Sequence, residues 1–226
     1  MLPMPALCWL CQMPLRMAHH GLCSFCVRAI APLRGCPRCG LPSRHPTHAC
    51  GRCLRHPPHW QSMLAVSDYA PPLSLLVNRL KFNATTALTA PLARLILLRL
   101  LLTQTGELSP RPDCIMSVPL HHRRALLRGF NQADLLAKQL ARWLNIRYAV
   151  NGLTRLRTGK PQHRLPAMVR RRNLRGAFRV DIGVKGAHIV LIDDVVTTGS
   201  TVGEISRILR AAGAASVQVW CLCRTL

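Results

Sequence analysis

Beyond residue 60 the apolar positions of this chain alternate between two rhythms. Short dense runs read as strands: "AVSDY" at 65–69, "DCIMSVPL" at 113–120, "IRYAVNGLTRLR" at 146–157, "HIVLIDD" at 188–194 and "SVQVWCLC" at 216–223. Between them apolar residues recur at helical spacing. Residues 72–102 read as two leucine-rich helices separated near Asn83. "QADLLAKQLARWL" repeats Ala133, Leu136, Ala137, Leu140 and Trp143, with Asn131 as N-cap and Asp134 in the first turn. "TVGEISRILRAAG" places Val202, Ile205, Ile208, Leu209 and Ala212 on one face and stops at Gly213. Uninterrupted apolar runs such as 189–192 fit strands covered on both faces, and the alternation with helices implies a parallel α/β sheet flanked by helices. The basic stretch "HHRRALLRGFN" reads as a turn, and "TGKPQHRLPAMVRRRNLRG" as a long polar connection.

Before residue 60 the pattern is different. Eight of the 11 cysteines form four C-x-x-C pairs: Cys8 and Cys11, Cys23 and Cys26, Cys36 and Cys39, Cys50 and Cys53. Two residues between thiolates let a tight knuckle aim both sulfurs at one ion, and two knuckles complete a tetrahedral zinc site, so eight ligands make two sites. Serial pairing, Cys8, Cys11, Cys23, Cys26 and then Cys36, Cys39, Cys50, Cys53, closes each loop locally and is favoured on entropy; an interleaved cross-brace would use the same residues. A disulfide framework would need an oxidising compartment. A redox C-x-x-C would need a flanking thioredoxin-like strand and helix. The nearby His19, His20, His45, His48, His56 and His59 read as bystanders. "PLRGCPRCGLPSRHPTHACGRC" has few apolar residues to bury, so metal is expected to supply most of the order there and its removal to spare the rest of the chain. The change of composition at 55–60 sets the boundary between a small zinc-ribbon domain, 1–58, and the α/β domain, 59–226.

Charge narrows the partners. With 31 Lys and Arg against 8 Asp and Glu the net charge is +23, a field that attracts phosphates. Lysine occurs only at 81, 138, 160 and 185; the rest is arginine, whose planar fork suits bidentate phosphate contacts. The 4% aromatic content argues against an extensive base-stacking platform and leaves phosphate contacts as the main mode. "MLPMPALCWLCQMPL" lacks a basic n-region, and "LARLILLRLLL" at 92–102 is short and carries Arg94 and Arg99, so it reads as a core helix. The expectation is a cytoplasmic protein without a membrane span.

In so acid-poor a chain, adjacent carboxylates at Asp193 and Asp194 need a reason. They end a buried strand and precede Thr197, Thr198, Gly199, Ser200 and Thr201, a hydroxyl-rich turn into a helix. Helix amides and hydroxyls make a phosphate cradle, and the G-K-[ST] ending of a Walker loop is absent. Carboxylates just ahead of such a cradle suit vicinal ribose hydroxyls or Mg2+, so the stretch fits a ribose 5-phosphate. Arg123, Arg124 and Arg128 form a cationic segment before a helix N-terminus.

"DDVVTTGST" resembles the phosphoribosyl diphosphate motif of type I phosphoribosyltransferases. Together with "VPLHHRRALLRGFNQADLLAKQLA", the "PQHRL", "RRRN" and "AF" segments and the cysteine knuckles, it is similar to the ComF/GntX family over nearly the whole chain. That resemblance implies a type I phosphoribosyltransferase-like sheet behind a double zinc ribbon. It implies Asp193 and Asp194 facing ribose or Mg2+, 197–201 holding the 5-phosphate, and Arg123, Arg124 and Arg128 facing the diphosphate. Residues 158–176 would form a flap in which Gln162, Arg170 and Asn173 match the family, with Lys81 approaching the site; Asn83 stands where the family pattern has glycine. It further implies a role in competence or DNA utilization, with nucleic acid, single-stranded DNA first, and phosphoribosyl diphosphate or a nucleotide as ligands. Little chain follows the last strand to read an acceptor base, which sets a catalytic phosphoribosyltransferase second. A module that docks a protein partner through its ribbons and senses nucleotide is third.

Overall fold

The computed structural model describes residues 6–103, 110–156 and 174–225, and for 122–124 the backbone alone. Five parallel strands form the sheet, in the order β1 (Ser62–Asp68), β7 (Ser216–Arg224), β6 (His188–Val196), β2 (Cys114–Ser117), β3 (Arg147–Tyr148). All nine residues of β7 are buried, as a strand covered on both faces requires. One face carries α3 (Leu73–Phe82), α4 (Thr89–Thr103) and α6 (Gln132–Leu144), whose Leu76, Leu80, Leu92, Ile96, Leu136 and Leu140 pack on Val190, Ile192 and Leu222. The other face carries α7 (Ser200–Ala211), whose Val202, Ile205 and Leu209 pack on Ile189, Leu191 and Val219. By length and composition the segment Thr86–Thr103 could cross a bilayer; here its buried face lies on the sheet, and Arg99 donates to the Leu33 carbonyl at 2.8 Å.

Several elements depart from the sequence reading. The basic stretch after β2 is a helix, α5 (His122–Arg128), rather than a turn. The run at 146–157 is not one strand. It gives β3 in the main sheet and β4 (Leu153–Arg155), which pairs antiparallel with β5 (Phe178–Val180), with Asn151 at positive φ between them. Trp143 is 40% exposed: α6 is short enough that Leu136, Ala137, Leu140 and Ala141 already fill its buried stripe. The Asn131 cap is as expected, with its Oδ1 accepting from the Ala133 amide at 3.0 Å.

The cysteine pairs form two consecutive ribbons of similar design. Each opens on a knuckle closed by an antiparallel bridge, Leu7 with Pro14 and Gly35 with Pro42, and ends on a short helix, α1 (Ser24–Ala29) or α2 (Gly51–Arg55). The first ribbon is part of the main core: Cys8, Leu22, Cys26 and Ile30 are buried with the residues of α3 and α4. A Cβ on Gly21, which has φ +65°, would lie 2.2 Å from Pro91 Cγ, so this ribbon approaches α4 as closely as glycine permits. The order of this ribbon is thus tied to the α/β core more closely than its composition suggests. The second ribbon gathers Cys36, Cys39 and Cys53 into a small cluster of their own.

Candidate functional site

The sheet's topology fixes where a ligand would sit. From β2 the chain crosses by α6 to β3 on one side, and from β6 it crosses by α7 on the opposite face to β7 on the other. The carboxyl ends of the adjacent β2 and β6 therefore flank a topological switch point, where parallel sheets leave a crevice. Asp193 and Asp194 lie at that end of β6, which runs to Val196 rather than stopping at the aspartates. Side-chain alternation shifts by one across the pair: Val190, Ile192 and then Val195 face the α3–α4–α6 core, whereas Ile189, Leu191 and then Val196 face α7. Their own backbone fixes both carboxylates, as the Asp194 amide donates to Asp193 Oδ1 at 2.9 Å and the Val195 amide to Asp194 Oδ1 at 2.6 Å.

The two carboxylates have different electrostatic surroundings. Asp194 is buried, with Oδ2 3.1 Å from Lys81 Nζ at the end of α3, close enough for an ion pair though off line for a hydrogen bond. Lys81 thus reaches the site that the family pattern implied for it. Asp193 is half-buried; desolvation and the adjacent Asp194 carboxylate push it well above the usual carboxylate range, against the opposing pull of the Asp194 amide and Lys81. Two adjacent carboxylates sharing one lysine leave negative charge that a cation would offset.

Beyond Val196 the loop proper is only Thr197, Thr198 and Gly199, with Ser200 and Thr201 in the first turn of α7. Gly199 is the N-cap at φ +76°, and a Cβ there would lie 3.2 Å from Trp60. Thr198 Oγ1 lies 2.8 Å from Ser200 Oγ and accepts from the Ser200 amide at 3.3 Å. The first intrahelical bond runs from the Gly203 amide to the Gly199 carbonyl at 2.8 Å, which leaves the Thr201 and Val202 amides without an intrahelical acceptor. Hydroxyls and helix amides together make a fitting place for a phosphate.

On the β2 side, α5 carries Arg123, Arg124 and Arg128. The guanidinium of Arg128 lies 5.2 Å from the ring centroid of Phe82, the residue after Lys81, so α5 and the end of α3 meet. The side chains of Arg123 and Arg124 fall outside the described structure, as do Gln162, Arg170 and Asn173 of the expected flap. Glu204 of α7 holds the chain that follows: its carboxylate accepts from the Gly176 amide at 3.1 Å and pairs with Arg207 at 2.8 and 2.9 Å.

Two residues that sequence reasoning passed over tie this loop to the second ribbon. Arg224, at the end of β7 and 5% exposed, donates to the carbonyls of Cys39 at 2.9 Å, Val196 at 3.1 Å, Thr225 at 2.9 Å and Thr197. Trp60 donates its indole N–H to the Arg38 carbonyl and packs its ring over Gly199 and Gly203. The one signal in the sequence was an arginine closing an otherwise uncharged, largely apolar strand.

The cysteines form the two serial clusters, Cys8, Cys11, Cys23, Cys26 and Cys36, Cys39, Cys50, Cys53, with all four sulfurs of each within 4.8 Å of one another. None of them is in a disulfide. The Cys11–Cys23 and Cys39–Cys50 sulfurs lie 3.7 and 3.8 Å apart, matching the ~3.8 Å edge of a tetrahedron with ~2.3 Å metal–sulfur bonds. Burial opposes ionisation of Cys8 and Cys36, but backbone N–H donors within the knuckles outweigh it and bring them to about 6 and about 7. Each cluster is thus suited to hold one metal ion.

Residues 129–226 match the phosphoribosyl transferase domain family. The chain is 54% identical over 227 residues to the DNA utilization protein YhgH of Salmonella typhi, covering 100% of both. It is 39% identical over 220 residues to competence protein F of Haemophilus influenzae, covering 96% of each. Among solved structures it resembles the glutamine phosphoribosylpyrophosphate amidotransferase of B. subtilis complexed with ADP and GMP, at 23% identity and a TM-score of 0.38, over 57% of this chain and 25% of that one.

Proposed function

Because the chain belongs to the ComF/GntX family, we propose that it handles DNA in the cytoplasm, binding nucleic acid through its basic surface and ribbons and a phosphoribosyl diphosphate or nucleotide phosphate at the 193–201 segment. The names of the relatives supply the DNA role. One observation carries the ligand: paired carboxylates, a lysine and a hydroxyl-lined helix N-terminus converge at the switch point of a parallel sheet. In this reading 197–201 holds the 5-phosphate, and Asp193 and Asp194 take the ribose hydroxyls, directly or through Mg2+. Arg123, Arg124 and Arg128 face the diphosphate. Each four-cysteine cluster holds zinc, within a ribbon domain of 1–58 that precedes the phosphoribosyltransferase-like domain of 59–226.

Catalytic phosphoribosyl transfer is the second reading, favoured by the domain match at 129–226. Calorimetry of the zinc-loaded protein with phosphoribosyl diphosphate, with and without Mg2+, tests the site. A parallel titration with oligonucleotides at increasing salt tests the DNA role. Saturable, Mg2+-strengthened binding without consumption of any added base, and oligonucleotide affinity that falls steeply with salt, are expected. Turnover of a base would move the assignment to the second reading, and no binding of either ligand would end both.

A further inference from the structure

The second ribbon and the α/β body do not close completely on each other. Between α2 and the first turns of α7 runs a cleft of about 420 Å3, lined among others by Arg52, Arg175, Arg207, Arg224, Thr198 and Ser200. Neither of the paired aspartates nor Lys81 lines it, so it is separate from the ribose side of the site and shares only the edge of the phosphate loop. Its one acidic lining residue among those described, Glu204, is already taken by Arg207 and the Gly176 amide. Arg224 is held by backbone carbonyls, which orient its charge without neutralising it. Arg52 and Arg175 are exposed and have no ion-pair partner among the described residues. Positive charge therefore accumulates across the cleft from two separately folded elements, and the occupant that relieves it is an anion.

The shape narrows that anion. The volume accepts a nucleotide unit, whereas a duplex is too broad to enter. Trp60 is turned with its ring against Gly199 and Gly203, so it offers no free face for stacking. We propose that this cleft binds the sugar–phosphate backbone of a single nucleic-acid strand, with Arg52 and Arg175 as the contacting cations, and so leads the strand past the phosphate loop. The proposal rests on the DNA-handling reading and gives it a place. Contacts of this kind carry no base preference.

The test uses the full-length, zinc-loaded protein and a fluorescent oligothymidylate, with Arg52→Ala combined with Arg175→Ala. Arg16→Ala combined with Arg28→Ala removes the same charge from exposed positions on the first ribbon and is the control. The cleft pair is expected to weaken binding about tenfold and to flatten the slope of log affinity against log salt by roughly 1.4, about 0.7 for each phosphate of a single strand that is no longer neutralised. The control pair should do much less, and phosphoribosyl diphosphate binding should be unchanged in the control pair and in Arg52→Ala alone, since Arg175 belongs to the flap expected over the site. Equal effects of the two pairs, or an unchanged salt slope in the cleft pair, would overturn the proposal while leaving DNA binding intact. A loss of phosphoribosyl diphosphate binding in Arg52→Ala alone would overturn it by giving the cleft to the small ligand. Failure of the wild-type protein to bind the oligonucleotide at low salt would instead remove the DNA-handling reading on which it rests.

Discussion

The first ribbon buries Cys8, Leu22 and Cys26 in the core shared by α3, α4 and α6, whereas the second keeps Cys36, Cys39 and Cys53 in a separate cluster and meets the α/β body through Arg224, Trp60 and backbone contacts. Both have two C-x-x-C knuckles, separated by 11 residues in the first and 10 in the second, and the same knuckle-then-helix build. What differs is the neighbour. The first is fastened to α3 and α4, with Gly21 against Pro91 and Arg79 donating to the Trp9 carbonyl at 3.1 Å. The second is linked to the Val196 and Thr197 carbonyls by Arg224, which also donates to the Cys39 carbonyl, and through Trp60 to Gly199. A cysteine cluster that joins the main core can thus be told apart from one that is tied to the 197–199 loop.

The largest effect should come from the first ribbon. Cys8→Ser, at a fully buried position of the proposed zinc cluster, is expected to lower global stability by about 3–5 kcal/mol in urea unfolding, because this cluster packs into the main core. Cys53→Ser should cost about 1–2 kcal/mol in the main transition yet weaken phosphoribosyl diphosphate binding, since the ordered Cys39 carbonyl that receives Arg224 goes with its metal. Equal losses of stability from the two variants would break the comparison.

Arg224→Met sharpens it without touching a cysteine. Four carbonyls lose the Arg224 guanidinium, among them Thr197 in the loop, while Val196 keeps the Thr225 amide at 3.1 Å, and a loss of about 2–3 kcal/mol is expected by urea unfolding. Ligand affinity should fall about tenfold by calorimetry while both metals are retained, as measured by elemental analysis. Loss of the second metal in this variant would mean that the arginine supports the ribbon rather than the loop.

The visibility of these features in the sequence follows from how local their causes are. The run at 189–192 announced a doubly covered strand because burial on both faces removes any alternation, and the four C-x-x-C pairs announced their clusters because each knuckle is set by two intervening residues. Helix α5 was hidden by its charge: Leu126 and Leu127 are 71% and 87% exposed, so no apolar face marks it. Arg224 was hidden by distance, since its partner Cys39 lies 185 residues away. The attachment of the first ribbon to α4 was equally invisible, because a glycine's fit against Pro91 leaves no pattern in either segment.

A smaller effect has the opposite sign. Burial and the Asp194 charge raise Asp193, so the folded chain holds that proton more tightly than the unfolded chain does. The associated stability is present below the unfolded carboxylate pKa and is lost as pH rises through the folded value. Asp193→Asn removes this dependence and is expected to raise the melting temperature at neutral pH by roughly a few degrees. The difference between variant and wild type, which cancels the metals' own pH dependence, should shrink towards acid pH in melts taken between about pH 5 and 8. A lowered melting temperature would mean that the Asp193 carboxylate is held by favourable contacts rather than kept ready for a ligand.

The most direct measurement is calorimetric titration of phosphoribosyl diphosphate with Mg2+ into the wild-type protein and into Asp193→Asn combined with Asp194→Asn, each checked by its melting transition. Because both carboxylates stand at the carboxyl end of β6 ahead of the α7 N-terminus, the double variant is expected to stay folded and to bind at least about tenfold more weakly, the equivalent of removing one charge-assisted hydrogen bond. An unchanged affinity in the folded double variant would contradict the assignment of the paired aspartates to the ligand.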